Sequence, residues 1–144
     1  MTMRISMDTA KFKQELQATL DDLHRATRPA AQAGIQIIYD RARLNVKPSK
    51  KAHFFYIRGQ KYGPYAPGNL RDSIYQVFSK DKSYKDVSTY QVSWNKDEAP
   101  YGFMVELGTS QSPAHSFIAR SVVETRGQVR EAIKQRYIAE INKL

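Results

Sequence analysis

Three histidines, one isolated glutamate and a run of cations are the groups in this chain with chemistry to offer. His24, His53 and His115 fall in a predicted helix, a loop and the approach to a helix. None has a partner at the spacing a metal site needs. The chain has no cysteine, which removes disulfide scaffolds, zinc fingers, iron–sulfur sites and thiol catalysis together. No metal and no cofactor are therefore expected. The acid pairs Asp21–Asp22 and Asp97–Glu98 are adjacent in sequence and point different ways, so they give paired-carboxylate catalysis little support. Gly59, Gly63 and Gly68 sit among prolines and form neither a Gly-x-Gly-x-x-Gly nor a Walker pattern, which argues against nucleotide binding. Glu106 is the one acid in an apolar setting. Such an acid is a candidate general acid or base. The stronger reading is a carboxylate that accepts backbone donors or pairs with an arginine such as Arg71 or Arg120.

The charge is +9, from 23 Lys and Arg against 14 Asp and Glu, and most of the excess lies in one segment. Between Asp40 and Asp72 stand Arg41, Arg43, Lys47, Lys50, Lys51, Arg58, Lys61 and Arg71 with no acid among them. Phe54, Phe55, Tyr56, Tyr62 and Tyr65 are interleaved with these cations, together with Gly59, Gly63, Gly68, Pro48, Pro64 and Pro67. This mix predicts a long loop over residues 47 to 67, and long loops within domains are often functional or ordered by a partner. Three roles stay open for it. It packs against a neighbouring subunit, since Tyr, Phe and Arg are enriched at interfaces; it contacts a phosphate backbone; or it is a solubilising arm.

The elements that must carry these groups follow from periodicity. Asp8 is a good N-cap, and Met7 before it is placed to meet Phe12 as a hydrophobic staple. Phe12, Leu16, Leu20 and Leu23 predict an amphipathic helix over 9–26. Pro29 should kink it or restart it as a second helix over about 29–45, in which Ala30, Ala33, Ile37 and Ile38 approach a neighbour closely. Ser73–Phe78 and Val87–Trp94 are rich in β-branched and aromatic residues and read as paired strands joined by an open polar loop. Residues 99–108 read as a short helix, with Gly108 as its C-terminal cap and a strand as the alternative. A last helix, capped by His115 or Ser116, should run to about 142, with Phe117, Val122, Val129, Ile133, Tyr137 and Ile141 near one stripe and Gly127 as a weak point.

These elements belong to a chain of 144 residues and 16.5 kDa, 41% of it hydrophobic, which predicts one domain over 1–144. The predicted class is α+β, with helices from both ends covering a small antiparallel sheet. A mean hydropathy of −0.61 and the lack of a long apolar run exclude a membrane span. The start, Met1 to Met7, has no apolar stretch of secretory type, so synthesis in the cytoplasm is the expectation.

Residues 98 to 118 look less generic. The run Ala99-Pro-Tyr-Gly-Phe-Met-Val-Glu-Leu-Gly-Thr109, followed by Pro113-Ala-His-Ser-Phe-Ile118, resembles the signature of a tail-completion, or neck, protein family of long-tailed bacteriophages. Upstream, Pro67-Gly-Asn-Leu-Arg-Asp-Ser-Ile74 resembles that family's Gly-x-Leu-Arg-x-Ser-Ile segment through Gly68, Leu70, Arg71 and Ser73. Tyr101, Val105, Glu106, Gly108, Thr109 and Phe117 carry the downstream match, while Ser116, Ala119 and Arg120 depart from the family's Pro-Phe-Leu-Arg-Pro-Ala. The resemblance implies a non-enzymatic virion component, made in the host cytoplasm and resident in the tail or neck. Its expected partners are further copies of itself in a ring, neighbouring head–tail connector or tail-tube proteins, and passing DNA. Arg41, Arg43, Lys47, Lys50, Lys51, Arg58 and Lys61 would then face DNA or the next ring. The matched residues themselves are expected to build a turn and pack the final helix, with Gly108 at positive φ, Thr109 bonding the loop and Glu106 holding it. The rival is a cytoplasmic nucleic-acid-binding module that binds duplex through residues 41–71 irrespective of sequence.

Overall fold

A computed structural model describes residues 2–84 and 86–143. The chain runs α1 (Thr9–Asn45), β1 (His53–Ile57), β2 (Gln60–Tyr65), α2 (Asn69–Ser73), β3 (Ile74–Phe78), β4 (Tyr90–Trp94), α3 (Gly102–Leu107) and α4 (Ile118–Asn142). The class is α+β. Two antiparallel two-stranded sheets, β1–β2 and β3–β4, accompany two long helices that pack against each other.

Asp8 caps α1 as its residue type demands, accepting from the backbone N–H of Ala10 (3.0 Å) and of Lys11 (3.2 Å). The helix then runs 37 residues without a restart, so the expectation of two helices separated at Pro29 is corrected. Pro29 has no N–H to give the carbonyl of Arg25, a cost helices normally avoid. Here Ala26 and Ala30 on either side are buried, and packing against α4 outweighs the local penalty. The stripe Ala26, Ala30, Gly34 and Ala42 is small throughout. Ser121 and Thr125 on α4 are likewise small and buried. A Cβ on Gly34 would stand 2.7 Å from Ile133. The helices are antiparallel, with Arg41 paired to Glu124 and Asn45 bonded to the Phe117 carbonyl (3.3 Å). The stripe predicted for α4 is displaced: Ser121 and Thr125 are buried, whereas Val122 is 39% exposed. A Cβ at Gly127 would meet nothing, so close packing does not explain that glycine.

The β3–β4 pair forms as expected, in continuous register from Ile74 opposite Trp94 to Phe78 opposite Tyr90, and covers the middle of α1. Gln76 donates to Gln36 (2.6 Å) and Arg28 lies over the Phe78 ring. The long loop predicted for 47–67 is instead largely a β-hairpin. Ile57 faces Gln60 across a two-residue turn, Arg58–Gly59, with both φ values positive at 49° and 80°. That is the mirror-image turn that matches strand twist. Arginine seldom takes its first position, which hid the signal. A bulge between His53 and Phe55 is accommodated at Gly63, where a Cβ would stand 2.9 Å from the His53 carbonyl oxygen.

The core is small: Ala42, Val46, Leu70, Ile74, Ala99, Tyr101 and Phe117, ringed by residues such as Phe55, Trp94 and Val105. It sits where α2, α3 and the start of α4 meet the end of α1. Replacing Pro29 with Ala should raise the free energy of unfolding by up to about 3 kcal/mol, because the helix already runs through the position. Denaturation in urea reads this as a higher midpoint with an unchanged slope.

Candidate functional site

Glu106 lies on the last turn of α3 and points at the start of α4. Its Oε2 accepts from the backbone N–H groups of Phe117 (2.7 Å) and Ile118 (3.0 Å), and its Oε1 from that of Ala119 (2.9 Å). The first N–H groups of a helix have no partner within it, and neither Phe117 nor its neighbours supply a capping side chain. Glu106 does so across eleven residues, and its negative charge also suits the positive end of the helix dipole. The expected capping by His115 or Ser116 is therefore corrected. Ser116 instead donates its hydroxyl to the Glu106 carbonyl (2.7 Å), and the His115 N–H bonds the Val105 carbonyl (2.8 Å). The reading of Glu106 as a carboxylate accepting backbone donors holds; the proposed arginine partners do not touch it. Arg71 pairs with Asp72 and Arg120 with Glu124.

The rest of the motif builds the loop that Glu106 closes. Gly108 ends α3 at φ 77°, and a Cβ there would meet the Ala114 backbone nitrogen at 2.6 Å, so only glycine fits. Thr109 turns the loop, accepting at its hydroxyl from the N–H groups of Gln111 (3.3 Å) and Ser112 (3.1 Å). Phe117 is fully buried, edge-on to Trp94. Gly102 lets α3 lie directly on the Trp94 indole.

The second motif segment reaches the first in space. Gly68, at φ 82°, starts α2; Leu70 enters the core; Ser73 donates to the Leu70 carbonyl (2.7 Å). Asn69, which the residue types did not single out, is the link. Its amide donates to the Glu98 carbonyl (2.7 Å) and to the Tyr101 hydroxyl (3.2 Å). Burial pushes the Tyr101 phenol above its usual value.

Tyr101 also anchors the hairpin. Its ring lies 4.8 Å from that of His53, 5.7 Å from Phe55 and 4.9 Å from Tyr65, separations typical of aromatic pairs. Tyr62 stacks on Phe55 at 5.0 Å. One hairpin face is thus fastened to the motif. The other presents Phe54, 42% exposed, and Tyr56, 61% exposed, with the Lys61 ammonium 3.9 Å above the Phe54 ring.

The basic segment does not act as one unit. Arg41 joins Arg120 on Glu124, and Arg43 and Arg71 share Asp72. Hydrogen bonds from Arg41 and Arg71, respectively, hold Glu124 and Asp72 below the usual carboxylate range. These arginines belong to the body. Lys47, Lys50, Lys51, Arg58 and Lys61 make no ion pair among the described residues and lie on the hairpin and its approach.

A cavity of about 350 Å³ opens between the end of α1, the hairpin and the motif, with Leu70 and Tyr101 among its walls and Lys47, His53, His115 and Arg120 beside them. Among the described residues no carboxylate lines it. Among the described residues no group of three or more His, Asp or Glu is placed to hold a metal, and no helix is long and apolar enough to cross a membrane. No family model matches the chain, and no curated protein or solved structure is significantly similar to it.

Replacing Glu106 with Ala leaves three helix N–H groups without their acceptor and should cost about 2–3 kcal/mol of stability. Glu106→Gln, which keeps one acceptor oxygen, should cost about half as much. Urea denaturation of the two variants orders them; equal stability of all three proteins would remove the capping role.

Proposed function

We propose that this chain is a structural protein of a phage or prophage particle, completing the tail or joining tail to head as one subunit of a ring. The observation that carries the reading is surface. The chain exposes 10774 Å², whereas a compact monomer of 16.5 kDa exposes roughly 7,500 Å². The difference is of the size that permanent assemblies bury, on the order of 2,000–5,000 Å². Much of it is apolar: Met3, Ile5, Met7, Phe12, Leu44, Tyr56, Tyr84, Leu107 and Val123 are all more than half exposed. A subunit whose neighbours cover such patches has a reason to carry them.

The resemblance of residues 67–74 and 98–118 to the neck family supports the same reading, because both segments serve one scaffold joined at Asn69 and Tyr101. Glu106 spends its carboxylate on holding α4, so the role proposed is architectural, without catalysis. In a ring the hairpin would face the bore or the next ring. Repeated around an axis, the five cations of the hairpin and its approach would meet DNA irrespective of sequence or grip an acidic surface.

The exposed cations and rings of the hairpin favour a second reading, a cytoplasmic duplex-binding module. Mass spectrometry of tailed particles purified from cells carrying the gene decides between the two. The chain is expected there in several copies per particle, and its absence would overturn the assignment. Substituting Lys47, Lys50, Lys51 and Lys61 by Glu should leave the fold intact, as judged by circular dichroism, and reduce the yield of joined, infectious particles. For the duplex-binding module, the purified monomer would instead bind DNA with an affinity falling steeply in salt, with a log–log slope of about −4.5 for five phosphate contacts.

A further inference from the structure

The cavity of about 350 Å³ beside the motif has no part in the capping of α4. Its volume lies at the lower end of the range of small-molecule sites, roughly 300–1,000 Å³. Val46, Pro48, Leu70 and Val105 give it apolar walls, and Lys47 and Arg120 bring positive charge to its lining. The acids near these residues are already engaged. Glu106, next to Val105 in the chain, accepts three N–H groups of α4. Glu124 is shared between Arg120 and Arg41, so one carboxylate serves two guanidinium groups. Lys47 makes no ion pair among the described residues. Without an acid among the described lining residues, the charge left over at the cavity is positive.

Tyr101 adds a buried donor. It is 6% exposed, and its hydroxyl accepts from the Asn69 amide at 3.2 Å, the two residues joined by this bond both lining the cavity. Among the described residues that hydroxyl donates to no acceptor. Burial pushes the phenol above its usual value, so the proton stays on the oxygen at neutral pH. A buried O–H without an acceptor is costly and uncommon in folded proteins. A hydroxyl that already accepts a hydrogen bond is also polarised toward donating one. One such donor, with two cations nearby and apolar walls, suits a group of single negative charge; a phosphate calls for more donors than these.

We propose that this cavity binds a small organic acid, its carboxylate accepting from the Tyr101 hydroxyl in the field of Lys47 and Arg120 and its apolar body lying against Val46, Leu70 and Val105. The site lies within one chain and goes beyond the architectural role proposed above, so absence of the chain from particles would leave it standing.

Phenylacetate and isovalerate are titrated separately into the nitrogen-labelled full chain, beside their uncharged amides and inorganic phosphate, with backbone amide shifts read by NMR. At least one of the acids should shift the amides of Val46, Leu70 and Val105 saturably, with a dissociation constant on the order of 1 mM. Its amide and phosphate should bind about tenfold more weakly or less. Tyr101→Phe keeps the ring that packs on His53 and Tyr65 and should weaken the acid about tenfold. Lys47→Glu, at an exposed position, should weaken it severalfold. Circular dichroism checks that each variant keeps its helices, and Lys47→Glu carries the test if Tyr101→Phe fails to fold. Absence of saturable shifts with both acids at about ten times that concentration would overturn the proposal. So would an amide or phosphate binding as tightly as the acid, shifts confined to residues away from the cavity, or undiminished binding in either folded variant.

Discussion

The structure depends on a carboxylate placed where a helix has no other acceptor. Glu106 receives three consecutive N–H groups at the start of α4. The bond set closes the loop of residues 108–116 and seats Phe117 in the core. It also aims a 25-residue helix along α1. The capping side chain normally comes from the helix's own first residue. Here it comes from a separate short helix, so the cap also fixes the angle between two elements. A capped helix that held only itself would leave the α1–α4 pair free to swing.

From that point the architecture spreads in two directions. Along α1 and α4, small residues bring the backbones together, and Gly34 admits Ile133. Such a contact relies on close fit rather than on a large apolar area, which suits helices whose outer faces stay available. Toward the other end, Tyr101 joins the short helix, Asn69 and the hairpin through one side chain. The hairpin contributes few residues to the core, and its position is set by stacked rings against the motif. The scaffold is economical inside and leaves apolar residues outside.

The paired arginines show how placement changes the meaning of charge. As a string, residues 41–71 form one basic block. In space Glu124, from α4, takes Arg41, and Asp72, one residue beyond the block, takes Arg43 and Arg71. Within residues 41–71, the cations left without an ion pair among the described residues lie on the hairpin and its approach. Cation count by itself overstated the patch and misplaced its centre.

By itself the sequence determined what depends on near neighbours. The Asp8 cap, the β3–β4 pair, the short helix ended by Gly108 and the turn made by Thr109 are each set by a few adjacent residues and their preferred φ, ψ and hydrogen bonds. The architectural role of Glu106 was legible as a carboxylate in apolar surroundings, but its three donors were not, because they lie eleven to thirteen residues away across a loop. Tertiary structure alone decided the continuity of α1 through Pro29, the hairpin in place of a loop, and the division of the cations. In each of these, packing or ion pairing with a distant element outweighs a local preference of at most a few kcal/mol, and no local window of residues contains both sides of that balance.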